Sequence, residues 1–152
     1  MTETHRAAFH RAVIALNGGT SDARIVALVA EHAKMNRAEL IAVHVVEIDW
    51  TLPLDADIAS RSEEVQRVLD SAEAVAEHWK QTVEPVLLQA RDVGAAIVDE
   101  AAERGADLIV LGVPFRTRFG GDFAIGRTIP YVLQNAACTV WVVREPIAEE
   151  AS

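Results

Sequence analysis

Short, uninterrupted runs of apolar residues alternate along this chain with longer stretches in which apolar residues recur at every third or fourth position. The short runs are typical of strands buried on both faces of a sheet, and the longer spacing is typical of amphipathic helices. Strands are predicted at residues 12–16, 40–46, 86–89, 107–111 and 139–143, and helices at about 21–34, 59–82, 92–105 and 126–135. Strict alternation produces parallel βαβ units with right-handed crossovers. We therefore predict an α/β fold with a single five-stranded parallel doubly wound sheet and helices on both faces.

The composition suits one folded domain with no general attraction for nucleic acid or membranes. Of the 152 residues, 51% are hydrophobic and 24% are charged, and the net charge of -9 repels phosphate backbones and anionic lipid heads. No run approaches the ~18 apolar residues that a transmembrane helix requires. We expect a flexible lead-in at residues 1–10, the folded domain at 11–144 and an acidic tail at 145–152.

Cysteine usage indicates a reducing compartment. Cys138 is the single cysteine, so the chain cannot close an internal disulfide, and no Cys or His spacing typical of a metal site occurs. The apolar stretch at residues 12–16 is too short for a secretory signal. We expect a cytoplasmic protein without a metal site.

The loop that follows the fourth strand combines glycine with positive charge. Ligands of doubly wound sheets bind beyond the carboxyl ends of the strands, at the switch point in strand order. Between residues 116 and 127 this loop holds three arginines and one acid. Gly112 permits a tight bend, and Gly126 permits close approach to the first turn of the next helix. Arg127 and Thr128 offer a charge and a hydroxyl to the same anion. Two interpretations stay open, an anion site and a surface loop with solvated arginines.

The chain resembles the universal stress protein domains along nearly its whole length. The resemblance rests on residues 12–18, on His44-Val-Val46, on Gly105-Ala-Asp-Leu-Ile-Val-Leu-Gly112 and on Cys138-Thr-Val-Trp-Val-Val143. It implies the strand order 3-2-1-4-5. It also implies a homodimer formed through the last strand, residues 139–143, which would cover an apolar sheet edge. Cover by the lead-in or by the acidic tail is the alternative.

The same resemblance implies a site for ATP or another adenine nucleotide, with Mg. The corresponding residues are Ala15, Asn17, Val45 and Leu111 on the adenosine side, and Gly112, Gly126, Arg127 and Thr128 on the phosphate side. Asn17 stands where the family has an aspartate, and it keeps an acceptor while gaining a donor. Phe115 stands where the family has a glycine, and Gly126 aligns only if the loop has one extra residue. A site closed to phosphates therefore stays open as an alternative.

These features predict a universal stress protein with a regulatory role in the stress response and without clear catalysis. No P-loop, dinucleotide-binding turn or Gly-x-Ser-x-Gly motif occurs, so no catalytic residue is predicted, although slow ATP hydrolysis stays open. The segment from residue 112 to 119 is similar to universal stress domains attached to amino-acid transporters, which implies a transporter partner by analogy. The alternative is a nucleotide-free dimeric interaction module whose loop docks a partner.

Three polar residues next to strands invite catalytic or metal roles but have simpler explanations. His44 lies within an apolar strand, and we expect a buried, hydrogen-bonded core histidine. Asp107 precedes the fourth strand, where the polarity of a helix-to-strand turn explains it. Cys138 precedes the last strand and is expected to pack as a small hydrophobe.

Overall fold

Parallel strands and helices alternate in the computed structural model, which describes residues 9–53, 62–113 and 126–145. The elements are β1 (Arg11–Leu16), α1 (Ser21–Ala33), β2 (Glu39–Glu47), α2 (Ser62–His78), β3 (Val83–Ala90), α3 (Val93–Glu103), β4 (Leu108–Val113), α4 (Thr128–Asn135) and β5 (Thr139–Arg144). The sheet order is β3-β2-β1-β4-β5, and every neighbouring pair is parallel. The predicted fold class and strand order are confirmed. Phe115, the lead-in to residue 8 and the tail from residue 146 lie outside the described residues.

The alternation of side chains along β1 builds a separate apolar layer on each face of the sheet. Ala12, Ile14 and Leu16 pack with α1 and α2, while Val13 and Ala15 pack with α3 and α4. Successive side chains of a strand point to opposite faces, so a strand covered by helices on both faces must be apolar at every position. This is why β1, β2 and β4 read as continuous apolar runs, and it confirms helices on both faces.

The helix ends depart from the sequence-based expectation in two places. α2 ends at His78 rather than near residue 82, because Lys80 takes a left-handed backbone with φ of 59°. Neither Thr20 nor Ser21 caps α1 through its side chain, although we expected one of them to do so. The carboxylate of Asp22 instead accepts hydrogen bonds from the backbone N–H groups of Asn17 and Gly18, at 3.0 and 2.8 Å.

Two other predictions about turns are confirmed. The Asp92 side chain caps α3 by accepting a hydrogen bond from the N–H of Ala95 at 3.1 Å. Gly105 follows α3 with φ of 64°, as a stop signal should.

The third strand is longer than expected, at residues 83–90 rather than 86–89. The start of β3 does not form an apolar run, because β3 is an edge strand and its first positions include exposed residues.

The other sheet edge is covered on one face by the segment that precedes β1. The ring of Phe9 is buried and lies 5.6 Å from the Trp141 indole of β5 in an edge-to-face contact, and His32 makes a similar contact at 5.6 Å. Asp107 accepts hydrogen bonds from the N–H groups of His10 and Arg11, which explains its polarity at this turn. Within the residues described, no helix is long and apolar enough to span a bilayer.

Candidate functional site

A cleft of about 340 Å³ lies at the carboxyl ends of β1, β2 and β4, where the chain reverses its direction of travel across the sheet. This is the switch point at which ligands of such sheets bind. Six of the eight residues singled out from the sequence line it, namely Ala15, Asn17, Val45, Leu111, Gly112 and Thr128. The lining is completed by Leu16, His44, Glu47, Val93, Ile97, Val113 and Ile129.

The walls of the cleft are apolar. Ala15, Val45 and Leu111 each expose 9% or less of their surface, and they belong to one cluster with Ile97 of α3 and Ile129 of α4. An apolar slot with a few polar groups at its mouth is the usual form of a site for a small aromatic ligand. The polar groups here are Asn17, His44, Glu47 and Thr128, which come from the ends of β1 and β2 and from the start of α4.

The side chain of Asn17 folds back on its own loop. Its Oδ1 accepts a hydrogen bond from the N–H of Gly19 at 2.7 Å, which closes a turn between β1 and α1. Gly18 between them has φ of 82°, a backbone region that favours glycine. One lone pair of Oδ1 is used within the loop, so Asn17 can still offer the second lone pair as an acceptor and the Nδ2 group as a donor.

His44 and Asp22 lie beneath this loop. A carbonyl oxygen can only accept, so His44 donates from Nδ1 to the Leu16 carbonyl at 3.1 Å. The predicted hydrogen bond is present, but His44 is only half-buried and lines the cleft. Burial raises the pKa of the Asp22 carboxyl, against the lowering effect of hydrogen bonds from Asn17 and Gly18 and of nearby His44. The loop before α1 is thus held by an internal carboxylate.

Gly112 is required by the packing of α1 against β4. A Cβ atom at this position would lie 2.9 Å from Ser21 Oγ and 3.1 Å from Ile25 Cγ2. Both neighbours belong to the buried side of α1, so neither has space to retreat. The sequence pointed to Gly112 for a bend near a ligand, and the structure adds a contact between two elements of the core.

Gly126 and Arg127 lie just before α4 and do not line the cleft. Gly126 has φ of 77°, and a Cβ built on it would meet no atom of the described residues within 4 Å. The Arg127 side chain is 95% exposed, and its Nη2 lies 3.7 Å from Glu47 Oε1. Arg127 and Glu47 therefore face each other at the mouth, where a surface pair of this kind contributes little to stability.

Sequence reasoning missed the residues that α3 adds to the cleft and the one at the last position of β2. Val93 and Ile97 line it from α3, and Glu47 lines it from the last position of β2. The carboxyl ends of parallel strands meet at one edge, so residues that follow β2 and β3 were a usable signal.

Among the described residues, no three His, Cys, Asp or Glu side chains meet as a metal-binding group. Burial raises the pKa of the Cys138 thiol, which disfavours the reactive thiolate.

Ser21→Ala should stabilise the protein. Ser21 Oγ is buried and has no hydrogen-bond partner among the described residues, and such a group costs free energy because it has left water without compensation. We expect the free energy of unfolding to rise by about 1 kcal/mol, and the melting temperature by about 2–4 °C. Ser71→Ala on the exposed side of α2 controls for helix propensity and should gain less. A fall in the melting temperature of Ser21→Ala would mean that the hydroxyl has a partner in solution.

Comparison with known proteins gives this fold its family. The model of the universal stress protein family matches residues 8–144. The chain belongs to the universal stress protein family. A solved universal stress protein in complex with cAMP is 20% identical, covers 92% of this chain and 100% of its own, and has a TM-score of 0.70. The universal stress protein from Archaeoglobus fulgidus in complex with dAMP is 20% identical, with coverages of 88% and 97% and a TM-score of 0.69.

A curated relative places the universal stress domain in a larger chain. Sensor protein KdpD of Mycobacterium tuberculosis is 28% identical over 142 residues, which are 93% of this chain. The chain spans only 15% of that sensor's length. The likeness to KdpD therefore concerns one segment of the sensor, and the likeness to the solved universal stress proteins concerns the fold.

Proposed function

We propose that this protein is a regulatory universal stress protein that binds an adenine nucleotide in the cleft at the carboxyl ends of β1, β2 and β4. The observation that supports this most is the convergence of Ala15, Asn17, Val45, Leu111, Gly112 and Thr128 on one cleft. These residues come from three strands, the turn after β1 and a helix, which are distant from one another in the sequence. The cAMP and dAMP complexes of two relatives with the same fold support the same class of ligand.

The chemistry of the cleft favours a base in the apolar slot and phosphates at its mouth. A volume of about 340 Å³ suits one flat ring system and part of a sugar. The Nδ2 group of Asn17 can donate to a ring nitrogen of the base, and Oδ1, which accepts from Gly19, keeps a second lone pair. Thr128 and the first N–H groups of α4 are donors for phosphate, and Arg127 supplies the positive charge.

Glu47 sets a condition on phosphate binding. Its carboxylate lines the mouth and lies within 3.7 Å of the Arg127 guanidinium. An incoming phosphate is repelled by Glu47 and attracted by Arg127, so Arg127 must exchange its carboxylate partner for the ligand. If ATP were bound together with Mg, Glu47 would be the carboxylate at the mouth able to hold the cation, which would offset part of the phosphate charge.

The proposal includes a homodimer formed through β5. Its outer edge pairs with no strand among the described residues, and Val142 on it is 42% exposed. Phe9 and His32 cover one face of Trp141, which leaves the strand edge rather than the indole for a second copy. Sedimentation of a monomer at micromolar concentration would exclude this dimer. The proposal also includes a location in the cytoplasm, which the free Cys138 supports. It includes a transporter as the regulated partner.

The alternative function is a nucleotide-free dimeric interaction module. The observation that favours it is the place of the matching segment within a sensor, of whose length this chain spans only 15%. The two functions separate on one question, whether the cleft binds a nucleotide at all. Catalysis has no assigned residue in either function.

Gly126→Asp should weaken binding of AMP by about tenfold or more, because it sets a negative charge beside the phosphates at an effective dielectric well below that of water. Gly126→Asn is the matched control, since Asn has the same size and tolerates a left-handed backbone equally well. Both variants should fold, because a side chain at residue 126 meets no atom of the described residues within 4 Å. Isothermal titration calorimetry should show AMP binding retained by Gly126→Asn. Adenosine, which lacks phosphate, should bind both variants alike. Equal AMP affinity for the two variants would contradict the phosphate position.

A further inference from the structure

A second cleft, of about 820 Å³, opens at the opposite edge of the sheet, where the strands begin. Its walls come from the starts of β1, β2 and β3 and from the turns that follow α1, α2 and α3. The charged residues that line it are Arg11, Lys34, Arg37, Lys80, Arg104, Glu39, Glu84 and Glu103. Five cations against three carboxylates make a local excess of positive charge in a protein whose net charge is -9.

Three of these cations have no acidic partner among the described residues. Arg11 Nε lies 2.8 Å from Glu39, and Arg104 pairs with Glu84 and Glu100. In the described ranges, no carboxylate lies within 4.0 Å of Lys34, Arg37 or Lys80. Glu39, Glu84 and Glu100 therefore pair with the two arginines. Glu103 is the remaining carboxylate of the lining, against three cations.

Two of those three cations hold an unfavourable backbone. At the end of α2, the N–H of Gln81 bonds to the Ala76 carbonyl at 2.9 Å and the N–H of Lys80 bonds to the Glu77 carbonyl at 2.8 Å. This is the Schellman arrangement, in which the residue at the Lys80 position is left-handed and is usually glycine. Lys80 has φ of 59° there. For a residue with a Cβ, this backbone costs about 1 kcal/mol or more.

A left-handed residue also follows α1 and α3, and after α3 that residue is a glycine, which adopts this backbone without strain. The N–H of Arg37 bonds to the Ala33 carbonyl at 3.0 Å, and Arg37 has φ of 54°. In the corresponding turn of α3, Gly105 has φ of 64°. Three helices thus end beside one cleft with a left-handed residue, and two of them use a cation where glycine is less strained. Backbone strain of this kind clusters at functional sites, so it gives a reason to look for a role of these two side chains.

We propose that Lys34, Arg37 and Lys80 form a binding site for a small multivalent oxyanion, separate from the nucleotide cleft. Two ammonium groups and one guanidinium line the same cleft, and together they offer a multivalent anion several charged donors. Phosphate chains and polycarboxylates share this chemistry. The competing role is attraction to the carbonyl ends of α1 and α2, which needs no ligand.

The test is isothermal titration calorimetry with inorganic tripolyphosphate and, separately, with citrate, at low ionic strength. We expect the parent protein to bind one of the two, more weakly as salt rises. Arg37→Gly combined with Lys80→Gly should lower the affinity at least tenfold, since each charge-assisted hydrogen bond is worth about that factor. The melting temperature should stay the same or rise, because glycine relieves both turns.

A double variant with the same loss of charge elsewhere provides the control. Arg24→Gln combined with Arg67→Gln removes two exposed cations outside this cleft, and it should keep the affinity within about twofold. Lys34→Gln combined with Lys80→Gln repeats the test without glycine, should the first variant fold poorly. The proposal is overturned if the parent binds neither anion. It is equally overturned if binding survives in the cleft variants, or if the control loses as much affinity as they do.

Discussion

Gly112→Val should lower the free energy of unfolding by about 3 kcal/mol, the upper end of the usual cost of overpacking a full interior. The first added atom already falls 2.9 Å from Ser21 Oγ and 3.1 Å from Ile25 Cγ2. Relief requires α1 to move away from β4, which disturbs a core in which Ile25 and Val110 are fully buried. Urea unfolding monitored by circular dichroism measures the loss. The same movement deforms the cleft, so nucleotide affinity should fall with stability.

A double-mutant cycle shows whether the contact with α1 is the cause. Gly112→Ala should cost less than Gly112→Val, and Gly112→Ala should cost still less in a Ser21→Ala background, where the nearest atom is gone. The matched glycine is Gly126, where a Cβ meets no neighbour in the described part of the chain, so its substitution should cost only the strain of the positive φ. If Gly112→Val is as stable as the parent protein, then α1 and β4 do not approach as closely as described.

Much of the fold follows from local patterns. The apolar runs of β1, β2 and β4 are central strands covered on both faces, so each could be predicted to within one or two residues. The edge strand β3 is longer than its apolar run suggests, because exposed positions such as Glu84 interrupt the pattern. The end of α2 could not be predicted, since a lysine in a left-handed turn leaves no signal comparable to Gly105.

The residues of the candidate site could be predicted where the family resemblance assigns a role to a position. Their side-chain partners could not be predicted, because those depend on tertiary contacts. Asn17 and Thr128 were expected at one cleft and both line it. The engagement of Asn17 with Gly19, and the pairing of Arg127 with Glu47, depend on how loops meet in space. The sequence favours a side-chain cap of α1 at residue 20 or 21, but Asp22 binds the loop amides instead with a charged acceptor.

The second cleft, where the strands begin, could not be predicted from the sequence either. Lys34, Arg37 and Lys80 lie in two separate turns, and in the sequence each reads as an ordinary surface cation. Only parallel packing of α1 and α2 brings their carboxyl ends to one edge of the sheet. Their lack of acidic partners within the described ranges is a property of the assembled surface, which composition cannot indicate.

An adenine nucleotide should raise the melting temperature of the purified, nucleotide-free protein by about 5–10 °C. Ligand at 100 times its dissociation constant adds about 2.7 kcal/mol of stability. For a domain of this size, each kcal/mol shifts the midpoint by roughly 2–4 °C. AMP, cAMP and Mg-ATP should each act in this way, while CMP should act less, because the smaller ring leaves part of the apolar slot empty.

This thermal shift is the most direct test of nucleotide binding in the cleft. Comparing the shift in Gly126→Asp with the shift in Gly126→Asn controls for the side chain added at residue 126. We expect a shift of several degrees with AMP in the parent protein and in Gly126→Asn, and a much smaller shift in Gly126→Asp. No shift with millimolar AMP, cAMP or Mg-ATP in the parent protein would contradict the account and leave the nucleotide-free interaction module as the function.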